Sequence, residues 1–238
     1  MADRSLAKRL LYDTIQFSAR LSAAALFHVR CSGREYEPRE GGALVLANHQ
    51  SLFDPLIVGL TLNRRMSPLA RDTLFRFAPF AWLIRSLDAI PLDREGPGLA
   101  GLKEMLRRLK AGQIVLIFPE GTRTPDGEVA TLKPGFSALA KRAKVPLLPM
   151  GIDGAYQAWP RTQLLPGLAT IHVNIGEPIM PAEAQAAEDR ELVAEVERRI
   201  RRCHRLARQS RLRAMGCYSA EPVGLGVAEH TTSATHVA

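Results

Sequence analysis

The sequence predicts a single α/β domain, a mixed sheet flanked by helices, with an amphipathic helix before it and a basic helix at its end. Two observations carry that prediction. The wholly apolar runs "ALVLA" (43–47) and "IVLIF" (114–118) are too short for helices and fit strands covered on both faces. Segments with helical spacing alternate with such strands, as in an α/β sheet with helices packed on it. The 238 residues, 46% hydrophobic and 24% charged, suit one domain with a sizeable core.

Residues 5–29 read as a helix with Leu6, Leu10, Phe17 and Leu21 near one face and Lys8, Arg9 and Arg20 off it. It packs either on its own domain or on a membrane surface. After the strand at 43–47, "LFDPLIVGLTL" (52–62) is a helix, and a second covers 74–86, where "FRFAPFAWLI" is mostly apolar around Pro79. "AIPL" (89–92) is a weak strand. Leu99, Leu102, Leu106 and Leu109 keep helical spacing with Lys and Arg opposite, and Gly112 supplies the stop. The strand "IVLIF" is followed by a helix over 135–143, and by strands at "VPLLPM" (145–150) and "TIHVNI" (170–175). One long helix is predicted over 182–213, with Leu192, Val193, Val196, Ile200, Cys203 and Ala207 on one side. From Arg198 to Arg213 it carries eight arginines and no acidic residue, which is either a solvated face or a surface for anionic headgroups. The expected organisation is residues 1–30 as the amphipathic helix, 31–215 as the domain with its basic helix, and 216–238 as a disordered tail.

Thirty-two Lys plus Arg against 24 Asp plus Glu leave a net charge of +8, which favours anionic partners. Aromatic residues are only 6%, and no stretch interleaves bases with stacking rings, so nucleic acid is not the expected partner. Cys31, Cys203 and Cys217 are scattered, with neither metal spacing nor a disulfide framework, which fits a reducing compartment. No secretory pattern opens the sequence, and no apolar run approaches a membrane span. The chain is expected to lie on a membrane rather than to cross it.

The first candidate for chemistry is "ANHQSLFDP" (47–55). Residues five apart in a continuous helix point about 140° away from each other. For His49 and Asp54 to meet, His49 must therefore lie in the turn and Asp54 in the first helical turn after it. The bland alternative makes Asn48 or Ser51 an ordinary helix cap and His49 a polar loop residue. "FPEGTR" (118–123) then places an acid, a glycine and an arginine at the exit of a buried strand, where ligands of α/β sheets commonly sit. Glycine permits close backbone approach, and the Arg123 guanidinium can grip a phosphate with two parallel hydrogen bonds. "IPLDR" (90–94) delivers Arg94 at the end of another short strand, and "VPLLPM" suits a pocket wall.

These four blocks resemble the glycerolipid acyltransferase family whose best-known members acylate 1-acylglycerol-3-phosphate. That family carries Asn-His-x4-Asp, an Arg-bearing block, Phe-Pro-Glu-Gly-Thr-Arg and Val-Pro-x-x-Pro in this order. Here they stand as "NHQSLFD", "IPLDR", "FPEGTR" and "VPLLP", with further similarity in "LKPGFSALA" and "IGEPI". Arg71 in "LARDTLF" stands where the family usually carries a lysine. The resemblance implies His49 as general base and Asp54 as the group that orients it. Arg94, Glu120, Gly121, Thr122, Arg123 and Arg71 would bind substrate. Glu120 would bind a substrate hydroxyl or hold Arg123, and backbone N–H groups near Gly121 or in the turn after His49 would receive the oxyanion. The acceptor hydroxyl is itself the nucleophile and the thiolate leaves well, so no metal or cofactor is expected. The implied donor is acyl-CoA or acyl-carrier protein, and the implied acceptor is a lysophospholipid, lysophosphatidate first, at the cytoplasmic face of an anionic membrane. Another lysophospholipid, a lyso-aminolipid or glycerol 3-phosphate as acceptor, or thioester hydrolysis, are the alternatives.

Overall fold

The computed structural model describes Thr14 and residues 28–71, 90–92 and 99–217. The helices expected over 5–29 and 74–86 and the tail beyond 217 lie outside the described residues.

The core is organised around β2 (Ala43–Ala47), every residue of which is buried. Its even-numbered side chains, Leu44 and Leu46, face one apolar layer, while Ala43, Val45 and Ala47 face the other. Both faces are covered, so the strand reads as a continuous apolar run rather than an alternating one. It pairs in parallel with β5 (Ile114–Ile117) on one side and β6 (Leu147–Asp153) on the other. β3 (Met66–Arg71) and β4 (Ile90–Leu92) extend the sheet beyond β5, again in parallel. β7 (His172–Ile175) runs antiparallel to β6, and β1 (Arg30–Ser32) pairs with β7. The seven-stranded order is β1-β7-β6-β2-β5-β3-β4. The single mixed α/β domain expected from the sequence is therefore the fold, and the carboxyl ends of β2, β3, β4, β5 and β6 share one edge.

Helices fill both layers. α1 (Asp54–Thr61) follows β2 and buries Ile57 and Val58 on the Val45 side, with Pro55 in its first turn, where the missing N–H costs nothing. α2 (Leu99–Lys110) and α3 (Gly135–Ala143) cover the opposite layer. α2 stops where Gly112, at φ 78°, turns the chain and Gln113 N–H bonds the Arg108 carbonyl. α4 (Ala155–Ala158) is one short turn after β6.

The long C-terminal helix is two. α5 (Pro181–Ala186) ends, Ala187 and Glu188 are extended, and α6 (Asp189–Ala214) begins behind a capping box between Glu188 and Glu191. The reciprocal side-chain bonds make Glu188 a start signal inside what reads as continuous helix. α6 lies directly on β6. A Cβ on Gly151 would stand 2.1 Å from His204 N and 2.2 Å from Cys203 C, so only glycine admits this approach. The arginines of α6 are also less available than the local run suggests. Arg198 and Arg199 pair with Glu195, Arg199 reaches Glu183, and Arg201 pairs with Glu197. Arg208 pairs with Glu128 and Asp153, and Arg211 with Asp153. None of the described helices is long and apolar enough to cross a membrane.

Candidate active site

His49 leaves β2 two residues beyond its last strand position, and the turn from Asn48 to Phe53 is held from several sides. Asn48 does not cap the helix. Its side chain donates to the Ile152 carbonyl (2.9 Å) and accepts from the Ile152 N–H (2.7 Å), prolonging the β2–β6 pairing through an amide. Ser51 is not the cap residue either, since Phe53 holds that position; its hydroxyl donates to the Trp159 carbonyl at 3.0 Å while its oxygen accepts the Phe53 N–H at 3.2 Å. Asp54 opens α1 and reaches back. Its Oδ2 accepts from the Gln50 N–H (2.5 Å), the Ser51 N–H (2.7 Å) and His49 Nδ1 (2.8 Å). The two side chains meet, and in the one arrangement the spacing allows, His49 in the turn and Asp54 in the first helical turn.

Two backbone N–H donors converge on the oxygen that faces the imidazole, so that oxygen is held as an acceptor and Nδ1 carries the proton. Nε2 is then the basic nitrogen, and it has no hydrogen-bond partner among the described residues. The ring stacks on Phe118, centroids 4.1 Å apart at 13°, and its side chain is 20% exposed. It is a fixed imidazole with one open edge.

"FPEGTR" closes on the backbone of the same residue. Glu120 Oε1 accepts the His49 N–H at 2.9 Å, Oε2 accepts the Ala130 N–H at 3.3 Å, and the Thr124 N–H donates to the His49 carbonyl at 2.8 Å. Thr122 and Arg123 lie between those two anchors, which brings them beside His49. Burial pushes Glu120 up to about 7, against the lowering effect of its two N–H donors, and the Asp54 charge adds to the rise. Gly121 sits at φ 72°, and a Cβ there would come within 3.0 Å of Lys133 Nζ. Lys133 is a cation that the sequence reading did not place at the site. Its sequence signal is its place as the second residue of "LKPGFSALA" (132–140).

The N–H groups of Gln50 and Ser51 go to Asp54, that of Phe53 to Ser51 Oγ, and that of Gly121 to the Phe118 carbonyl. Those donors, expected for an oxyanion, are already engaged. Arg71 is the last residue of β3, its backbone in register with Leu92 at the same edge of the sheet. Arg94 lies outside the described residues. Behind the turn, Gln50 donates to the Gly127 carbonyl (2.6 Å), accepts from the Tyr156 N–H (3.2 Å) and lies 3.3 Å from His204 Nε2. That imidazole lies 3.4 Å from Asp153. Burial pushes the Cys203 thiol up to about 12, so it supplies no thiolate.

An acyltransferase family model matches residues 28–153, a little over half of the chain. The chain belongs to the acyltransferase family. This acyltransferase is 36% identical over 171 residues to the 1-acyl-sn-glycerol-3-phosphate acyltransferase of Pseudomonas aeruginosa, covering 70% of the chain and 63% of that relative. It is 30% identical over 167 residues to the enzyme of the same name from Bacillus subtilis, covering 70% of the chain and 81% of that relative. The crystal structure of the 1-acyl-sn-glycerophosphate acyltransferase PlsC from Thermotoga maritima superposes with a TM-score of 0.75 at 29% identity, covering 87% of this chain and 84% of that one.

Proposed function

We propose that this acyltransferase moves a fatty acyl group from acyl-CoA or acyl-carrier protein to the free hydroxyl of 1-acylglycerol-3-phosphate, giving phosphatidate. The observation that carries the reading is the His49–Asp54 pair, with Nδ1 held on the carboxylate and Nε2 open. The names of the relatives from Pseudomonas aeruginosa and Bacillus subtilis support the acceptor.

In this reading His49 Nε2 takes the proton of the acceptor hydroxyl as its oxygen attacks the thioester carbonyl, an effect of typically 10²–10⁴-fold. The C–O bond forms, the tetrahedral intermediate collapses, the C–S bond breaks, and the proton passes from the imidazolium to the leaving thiolate. Asp54 stabilises the imidazolium between those steps. Glu120 acts as a positioning residue, since its carboxylate receives the His49 and Ala130 N–H groups. Arg123 and Arg94 grip the acceptor phosphate, with Lys133 beside Gly121 as a further cation and Arg71 at the same edge. Thr122, exposed and making no hydrogen bond among the described residues, is left to donate to substrate. The acceptor dissolves in lipid, and in this reading the protein works peripherally on an anionic membrane, at its cytoplasmic face.

Thiol release from acyl-CoA, with and without lysophosphatidate, tests this beside His49→Ala. Acceptor-dependent release with phosphatidate as product, lost by orders of magnitude in the variant, is expected. Release that ignores the acceptor would mean a thioesterase, and full activity in His49→Ala would remove the base.

A further inference from the structure

We propose that the loop of residues 160–169, "PRTQLLPGLA", is a bilayer-docking surface that seats the site against anionic lipid. It deepens the reading above, and rests on it for the choice of a lipid partner. Leu164, Leu165 and Leu168 are 89%, 75% and 80% exposed, three large apolar side chains within five residues. Soluble surfaces carry single exposed leucines without consequence, but a cluster at one loop tip marks a contact.

The loop is built to present them. Gly167 N–H bonds the Ala158 carbonyl at 2.7 Å, Gln163 N–H bonds the Pro160 carbonyl at 3.2 Å, and the Trp159 indole donates to the Gln163 carbonyl at 3.0 Å. These bonds close the base and leave the leucines outside it. The base is tied to the catalytic turn, since the Ser51 hydroxyl bonds the Trp159 carbonyl and the Phe53 and Trp159 rings lie 4.7 Å apart. The loop joins β6 to β7, whose facing ends are Asp153 and His172, so it stands on the edge of the sheet from which His49 projects.

Charge selects the lipid. Arg161, within the loop, is exposed. It has no acidic partner among the described residues. Leucines beside an unpaired arginine, on a chain of net charge +8, match the acyl boundary and headgroups of an anionic leaflet. A protein partner fits less well, because three leucines fall far short of the roughly 800 Å² per side of a stable interface.

The test uses the full chain and vesicles of equimolar phosphatidylcholine and phosphatidylglycerol. Replacing all three leucines (L164Q/L165Q/L168Q) should weaken vesicle partition roughly tenfold and leave thermal unfolding unchanged. Separately, Leu165→Trp should add emission that is quenched by brominated acyl chains, over the wild-type background. On acceptor presented in vesicles the triple variant should raise KM, while activity on a dissolved short-chain lysophosphatidate should match wild type. Unchanged partition, or an unquenched Leu165→Trp signal, overturns the inference. So does a triple variant that keeps its lipid partition but loses self-association seen in wild type, which would assign the loop to a second copy of the chain. If wild type acylates neither form of acceptor, the proposed reaction fails, and the partition and quenching results still decide the docking surface.

Discussion

Asp54→Asn separates charge from geometry in this site. The Asp54 oxygen that holds His49 also accepts the Gln50 and Ser51 N–H groups, whereas Oδ1 is buried without a hydrogen-bond partner. An asparagine must therefore place its carbonyl oxygen on Oδ2 and its NH₂ on Oδ1, because the opposite orientation sets an amide N–H against two backbone N–H donors. The tautomer of His49 survives and only the negative charge is lost. Opposite charges about 4 Å apart interact by about 4 kcal/mol at the effective dielectric of a partly buried pair. If the imidazolium forms only during reaction, kcat should fall about 10³-fold with KM little changed and stability within about 1 kcal/mol of wild type. Asp54→Ala is the contrast. It strands two buried N–H groups, each costing about 1–3 kcal/mol, so it should lower the unfolding midpoint in urea as well as kcat. Steady-state kinetics and urea unfolding on both variants provide the measurement. Wild-type kcat in Asp54→Asn would refute the idea that His49 becomes charged in the rate-limiting step. Equal destabilisation of the two variants would show that the carboxylate charge serves folding rather than chemistry.

Two further outcomes follow from packing and burial. Gly151→Ala drives a methyl to 2.1 Å from the backbone of α6 and should cost about 3 kcal/mol. It should lower the urea midpoint at unchanged slope, and lower kcat too, since α6 carries the His204 behind Gln50. Glu120, pushed up from 4.5 to about 7, holds its proton more tightly folded than unfolded. Its stabilising contribution is therefore full below pH 4.5 and is lost as pH rises through about 7. Glu120→Gln should lie below wild type in stability at about pH 5, with the gap narrowing towards about pH 8; a constant gap in urea unfolding would mean that Glu120 does not titrate there.

Legibility in the sequence followed burial. β2 and β5 were plain as unbroken apolar runs because both of their faces are covered. β3 carries no such signal: "MSPLAR" has Pro68 and a charged end, and a proline without an N–H is a poor strand signal even where, as here, it pairs towards the sheet margin. β1, with one arginine and two small polar residues, offered no pattern at all. The His49–Asp54 pair was readable because turn and helix start lie within one motif. The partners of Gln50 were not, since His204 stands 154 positions away and only the packing of α6 on β6 brings it there. How far the arginine run is paired was hidden for the same reason, the acids of Arg199, Arg208 and Arg211 lying on other elements.

That redirection makes α6 a brace for the site, and Arg211 is where the claim can be tested. Asp153 is fully buried, and burial alone would raise its pKa. The hydrogen bonds and charges of His204 and Arg211 outweigh that and hold it at about 2. A depressed carboxylate contributes stability above its unfolded value of 3.8, and loses it as pH falls through about 2. Arg211→Gln removes the donor on Asp153 Oδ2 and leaves Arg208, 3.2 Å away, as the remaining arginine on that carboxylate. Breaking a buried pair by deleting one partner costs about 3 kcal/mol, so the variant should be less stable than wild type near neutrality by that amount. Its Asp153 takes up a proton earlier on acidification, so the deficit should shrink between about pH 5 and about pH 3. A deficit that holds constant over that range in urea titrations would mean that Arg211 stabilises α6 by packing alone. Asp153 would then not link the helix to the edge of the sheet that carries His49.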